Sequence, residues 1–153
     1  MKKTAAVLFC LMAVGVRADL SDLRSKMKEG QYETTVIMSI SGMEKIPQGV
    51  QMAPRTTSRC YTKEDVAKGS QVLNPQNPRG EGHSDCQIQN FSMSGDSATY
   101  SVDCPSQRVN MQGSITFTGN GYKGVNSGAM EQAGRLIKMT MNFESKYVGA
   151  CTK

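Results

Sequence analysis

The sequence predicts an all-β domain: an antiparallel meander of about 6–8 strands, strongly curved or closed into a partial barrel, with one or two short helices. Two observations carry this. Apolar and polar residues alternate along several runs, and from Cys86 onward those runs are joined by short turn sequences, SGD, PS and GNG. One-sided alternation across short connections indicates an antiparallel sheet with one buried face. A third observation, two cysteines bracketing a turn in CQIQNFSMSGDSATYSVDC, supplies a register.

Residues 1–18 are set apart from the rest. Lys2 and Lys3 precede an uncharged, mostly apolar run from Thr4 to Val16, and Val16-Arg17-Ala18 puts small residues at the −3 and −1 positions of a cleavage site. This is the build of a secretory signal peptide cut after Ala18. The run is shorter than the ~20 residues a membrane anchor needs. Phe9 is too bulky to precede a lipidated Cys10, which argues against a lipoprotein signal. The expected mature chain is residues 19–153, one disulfide-stapled β domain, periplasmic or secreted and not an integral membrane protein. The signal has a bacterial build. Without Lys2, Lys3 and Arg17, the eighteen basic residues become fifteen against thirteen acidic ones. So balanced a surface carries no footprint for nucleic acid.

In the mature chain, Leu20, Leu23 and Met27 fall at i, i+3 and i+7 and predict a short amphipathic helix over 20–30, with Gly30 as its stop. QYETTVIMSIS predicts the first strand, with Tyr32, Thr34, Val36, Met38 and Ile40 on one face. Residues 42–54, broken by proline and glycine, predict a loop. TTSRCYT predicts a short strand carrying Cys60, and Thr62 to Asp65 a capped helical turn. Residues 67–85 are polar, rich in glycine and proline, and predict a long loop. Strands are then predicted at about 86–93, 97–104, 107–118, 121–128 and 135–147. Val109, Met111, Ile115 and Phe117 share one face of the third of these; Ile137, Met139, Met141 and Phe143 share one face of the last.

A hairpin centred on Gly95 places Cys86 opposite Cys104, Ile88 opposite Val102, Asn90 opposite Tyr100 and Ser92 opposite Ala98. Opposed residues are within reach of a disulfide. With that pair assigned, Cys60–Cys151 follows by elimination among the four cysteines left after the signal. Phe91 and Met93 fall on the polar face in this scheme, and a bulge near the turn would move them. No C-x-x-C or paired short spacing points to redox or zinc chemistry.

Gly30-Gln31-Tyr32-Glu33, then Gly42-Met43 with its proline-containing loop, then Arg59-Cys60-Tyr61, Cys86, Cys104, Gly119-Asn120-Gly121-Tyr122 and the terminal Gly149-Ala150-Cys151 resemble, in that order, the bacterial exported family called domain of unknown function 3617. Tyr32 stands where that family has Trp, and Glu44-Lys45 interrupts its Met-Pro loop. The resemblance implies fold, export and disulfides, and supplies no mechanism.

No catalytic constellation, cofactor motif or nucleophile elbow is present. His83 is the sole histidine and falls in the polar loop. Eleven methionines occur, two of them in the signal. Methionine fills irregular cores, lines adaptable apolar grooves, or binds Cu(I) through its thioether. The reading is a non-enzymatic binding module for a small apolar ligand or an envelope protein, with Tyr32, Met43, Met52, Phe91 and Met93 as ligand-facing candidates. A copper-binding protein is the alternative, and an envelope hydrolase a third.

Overall fold

The computed structural model describes residues 20–42, 50–69, 86–132 and 134–152. Its strands are β1 (Gly30–Ser41), β2 (Val50–Gln51), β3 (Arg55–Tyr61), β4 (Gln87–Ser94), β5 (Ser97–Cys104), β6 (Val109–Thr118), β7 (Gly121–Gln132) and β8 (Arg135–Gly149). They form one eight-stranded antiparallel sheet in the order β2-β1-β8-β7-β6-β5-β4, with β3 also paired to β1. β4 to β8 are the expected meander. The sheet stays open rather than closing into a barrel, with β2 and β3 at one edge and β4 at the other.

The registers stack inward-facing residues into rungs. One rung runs Thr34, Ser145, Tyr122, Phe117; the next Val36, Phe143, Gly124, Ile115, Ala98, Met93. Then come Met38, Met141, Asn126, Gly113, Tyr100, and Ile40, Met139, Gly128, Met111, Val102, Ile88. The faces inferred for β1, β6 and β8 are those observed, because the period-2 pattern leaves one register that buries the apolar set.

Three expectations change. Residues 20–30 do not form an α-helix. A 3-10 turn spans Leu20–Ser25 and buries Leu23, and Met27 follows it into the core. Gly30 is not a helix stop. It opens β1 at φ 144°, where a Cβ would run into the Tyr147 ring and the Gly149 carbonyl. The 42–54 loop contains the short strand β2; residues 43–49 and 70–85 lie outside the described residues.

The third change is in the β4–β5 hairpin. Gln87, Ile88 and Gln89 pair with Asp103, Val102 and Ser101 as expected, but the register then shifts, so that Ser92 meets Thr99 and Met93, not Ser92, meets Ala98. Asn90 makes the shift by adopting φ 52°. Its side-chain amide donates to Ser101 Oγ at 3.0 Å, and Ser101 Oγ donates to the Gln89 carbonyl at 3.1 Å. One inserted residue reverses the faces beyond it. Phe91 and Met93 therefore turn inward and pack against the core.

Helix α1 (Lys63–Lys68) begins at a capping box. Thr62 Oγ1 accepts from the Asp65 N–H at 3.2 Å, and the Thr62 N–H donates to Asp65 Oδ2 at 2.9 Å. Burial alone would raise the Asp65 carboxyl, but these bonds, with Arg59 and Lys68 nearby, hold it below its ordinary value. The helix buries Val66 and rests beside the 3-10 turn.

Cys86 is bonded to Cys104, with Cα atoms 4.0 Å apart, and Cys60 to Cys151, with Cα atoms 5.5 Å apart. The first bridge closes a separation of 18 residues within one hairpin, and the second a separation of 91 from β3 to the chain end. In the chain-entropy account the longer loop stabilises more, roughly 4–5 kcal/mol against roughly 3. Urea denaturation without reductant is expected to show the larger loss for the paired Cys60→Ser and Cys151→Ser variant, with the circular dichroism of the native sheet unchanged. Equal losses for the two double variants would contradict the account.

Candidate functional site

The inner face has two ends of different chemistry. At one end, four of the five tyrosines gather. Tyr32 lies 5.5 Å from Tyr61 and 5.4 Å from Tyr147 between ring centroids, both edge to face, and 6.1 Å from Tyr122. Phe117 and Phe143 extend the cluster through Tyr122. Arg59 stacks its guanidinium 5.0 Å over the Tyr61 ring, an arrangement that favours the cation over the ring face.

The polar atoms at this end are satisfied internally. The Tyr61 and Tyr122 hydroxyls share a hydrogen bond of 3.1 Å, Tyr32 donates to the Lys28 carbonyl at 3.0 Å, and Thr34 and Ser145 share one of 2.8 Å. Farther along, Tyr100 donates to Asn126 Oδ1 at 2.7 Å. Burial pushes the Tyr32, Tyr61 and Tyr100 hydroxyls above their ordinary range, so they remain protonated donors. This end is closed by Leu23 and Val66 from the helical segments and by Met27 just after the 3-10 turn.

Glycines on the rungs make room for the rings. A Cβ at Gly113 would strike the Tyr100 ring and Asn126 Oδ1, and one at Gly124 would strike the Phe143 ring. Gly128 is different: its missing side chain is replaced by a methionine, with Met111 Cγ 2.6 Å from where the Cβ would sit.

Farther from the helical segments, the β1 and β8 side of the face is built from methionine, beside the buried Tyr100, Asn126 and Val102 of the same rungs. Met38 and Met141 face each other across β1 and β8. The Met52 N–H donates to the Met38 carbonyl at 2.7 Å, which continues the β1–β2 register and sets Met52 opposite Met38. Met139 precedes Met141 by two residues on the same face, and Met111 lies across Gly128 from it. Met141 is only 2% exposed, whereas Met38, Met111 and Met139 are half-buried and Met52 is 48% exposed. Val50, opposite Ile40, is exposed beside them. Met38, Met139 and Met141 stand apart from the packed cluster at the aromatic end.

Of the ligand-facing candidates, Met52 alone is placed on this open patch. Tyr32 is 2% exposed and sealed among the other tyrosines. Phe91 and Met93 are half-buried against the core. Met43, like His83 and Ala18, lies outside the described residues. Met38, Met111, Met139 and Met141, assigned to the core by alternation, form the rest of the patch. The pairing of the first strand with the last would have revealed them, and nothing local encodes it.

Other hollows are less site-like. A crevice of about 330 Å³ lies between the 3-10 turn and the β6–β7 turn, but Lys26 and Asp96 pair across it at 2.7 Å. Two shallow hollows lie on the outer face: one of about 460 Å³ sets Ile37, Val125 and Phe143 among threonine, serine and charged side chains, and one of about 490 Å³ is lined mainly by serine, threonine and amide side chains. Among the described residues no three His, Cys, Asp or Glu side chains gather into a metal-holding group, and no helix is long and apolar enough to cross a membrane.

The expected cost of filling a rung is specific to the inner face. Gly113→Ala is expected to destabilise by about 2 kcal/mol through overpacking, while Gly119→Ala, with nothing within 4 Å of its Cβ, changes the thermal midpoint little. Equal effects would contradict the assignment of Gly113 as the seat of Tyr100.

A family model described as "Protein of unknown function (DUF3617)" matches residues 27–151, a span that holds all four paired cysteines. Searches of curated proteins and of solved structures found no match.

Proposed function

The chain belongs to the DUF3617 family, and on that footing we propose that it is an exported binding module that holds an apolar ligand on the methionine-lined end of its inner face. Export follows from the signal-like residues 1–18, with cleavage after Ala18 and a single mature domain over 19–153. Two disulfides suit an oxidising compartment such as the periplasm.

The observation that carries the binding reading is the contrast between the two ends. The aromatic end leaves no buried side-chain polar atom among the described residues without a partner, and it is capped. The methionine end keeps Met38, Met111 and Met139 half-buried and exposes Val50 and Met52 beside them. Methionine is unbranched and polarizable, so such a surface adapts to the shape of an apolar guest. The module is read as a binder because the interior hydroxyls among the described residues are each hydrogen-bonded to another hydroxyl, a carbonyl or an amide oxygen.

An apolar fluorescent probe such as N-phenylnaphthylamine tests this. Met52→Lys places a charge on the patch and is expected to weaken probe binding about tenfold, consistent with losing part of one buried side chain's transfer energy. Val148→Lys, at an equally exposed position at the opposite end of β8, is expected to leave binding unchanged. Equal affinities for the two variants would refute the location, and no probe binding by the unmodified protein would refute the reading.

A further inference from the structure

We propose that Met38, Met52, Met111, Met139 and Met141 form a thioether site for a soft monovalent cation, Cu(I). The proposal uses the same patch as the apolar-ligand reading but different chemistry, and does not rest on it.

The geometry is set by backbone pairing. Met52, the residue after β2, Met38 and Met141 are successive positions of one rung. Met139 is the next inward residue of β8, and Met111 leans over Gly128 toward it. Opposed Cα atoms in such a sheet are about 4.5–5.5 Å apart, and inward neighbours on one strand roughly 6.8 Å apart. A methionine side chain with three rotatable bonds spans those distances. Three or four sulfurs can therefore meet at one point above the Met38–Met141 pair while the backbone stays fixed. Gly128 matters here because any larger residue would hold Met111 off Met139.

The chemistry selects the ion. Thioethers are soft and neutral, and they favour Cu(I) over hard divalent ions, which prefer carboxylate and carbonyl oxygen. The rungs that carry these methionines hold no acidic side chain among the described residues; Asn126 is their most polar member, and its oxygen is taken by Tyr100. A divalent ion would find no charge to balance it, whereas a monovalent ion held by sulfur needs less. Met52 at the sheet edge is exposed and Met141 is buried, so the set of thioethers runs from solvent to the interior.

The test is anaerobic titration of the oxidised, disulfide-bonded protein with Cu(I) against a chromophoric Cu(I) chelator, with Ag(I) as a redox-inert check. One Cu(I) per chain in a sulfur-only coordination sphere by X-ray absorption is expected. The double variant Met38→Leu with Met141→Leu keeps the apolar volume, so the fold is retained. It is expected to lose about a hundredfold in Cu(I) affinity, two decades on the affinity scale, while still binding the apolar probe. Met52→Leu, at an exposed position, is expected to weaken Cu(I) in the same direction. Failure of the unmodified protein to compete for Cu(I), nitrogen or oxygen ligands in the spectrum, or undiminished binding by the leucine variants would each overturn the proposal. Loss of probe binding alone would count against the apolar-ligand reading and leave this one standing.

Discussion

Among the described residues the eight strands have no second sheet to pack against, so the inner face is buried by its own side chains and by the few residues that the helical segments lay across it. That constraint sorts the rest of the structure. Aromatic rings take up most volume per residue, and they occupy the end where the 3-10 turn and α1 close the face. Three rung positions carry glycine, Gly113, Gly124 and Gly128, because the curved face has no room for both a ring or thioether and a neighbouring Cβ. Beyond the helical cap, Met38, Ile40 and Met139 on β1 and β8 stay half-buried, while Tyr100, Val102 and Val109 on β5 and β6 are buried.

The two disulfides act on the same problem from the edges. Cys60 belongs to β3 at one edge of the sheet, and Cys86 precedes β4 at the other. Each bridge fixes a strand that has a neighbour on one side only. An open edge invites further pairing, and β4 also carries a bulge at Asn90, which disrupts its ladder. The aromatic cluster and the edge staples thus anchor the sheet on whose inner face the methionine patch lies.

Much of this was legible in the sequence because sheet burial has a period of two. The inward faces of β1, β6 and β8, the meander, the cap at Thr62 and the pairing of Cys86 with Cys104 all follow from local pattern or hairpin arithmetic. The faces of Phe91 and Met93 did not follow, since one residue in a left-handed conformation reverses everything beyond it. The roles of Tyr32 and of the methionines were hidden for a different reason. Whether an aromatic at a strand start is sealed or open depends on Tyr61, Tyr122 and Tyr147, far away in the chain. Whether Met38 is core or surface depends on Met141 across β8 and on a two-residue strand too short to leave a pattern. A local reading singled out Met52 and placed in the core the methionines that lie beside it.

The central claim is that one end of the inner face is sealed and the other open. Methionine ε-methyl NMR with a soluble paramagnetic agent tests it at each residue. The account predicts strong broadening for Met52, intermediate broadening for Met38, Met111 and Met139, and little for the buried Met27 and Met141. If Met38, Met111 and Met139 proved as protected as Met27, the methionine end would be closed core and the division of the inner face would be wrong.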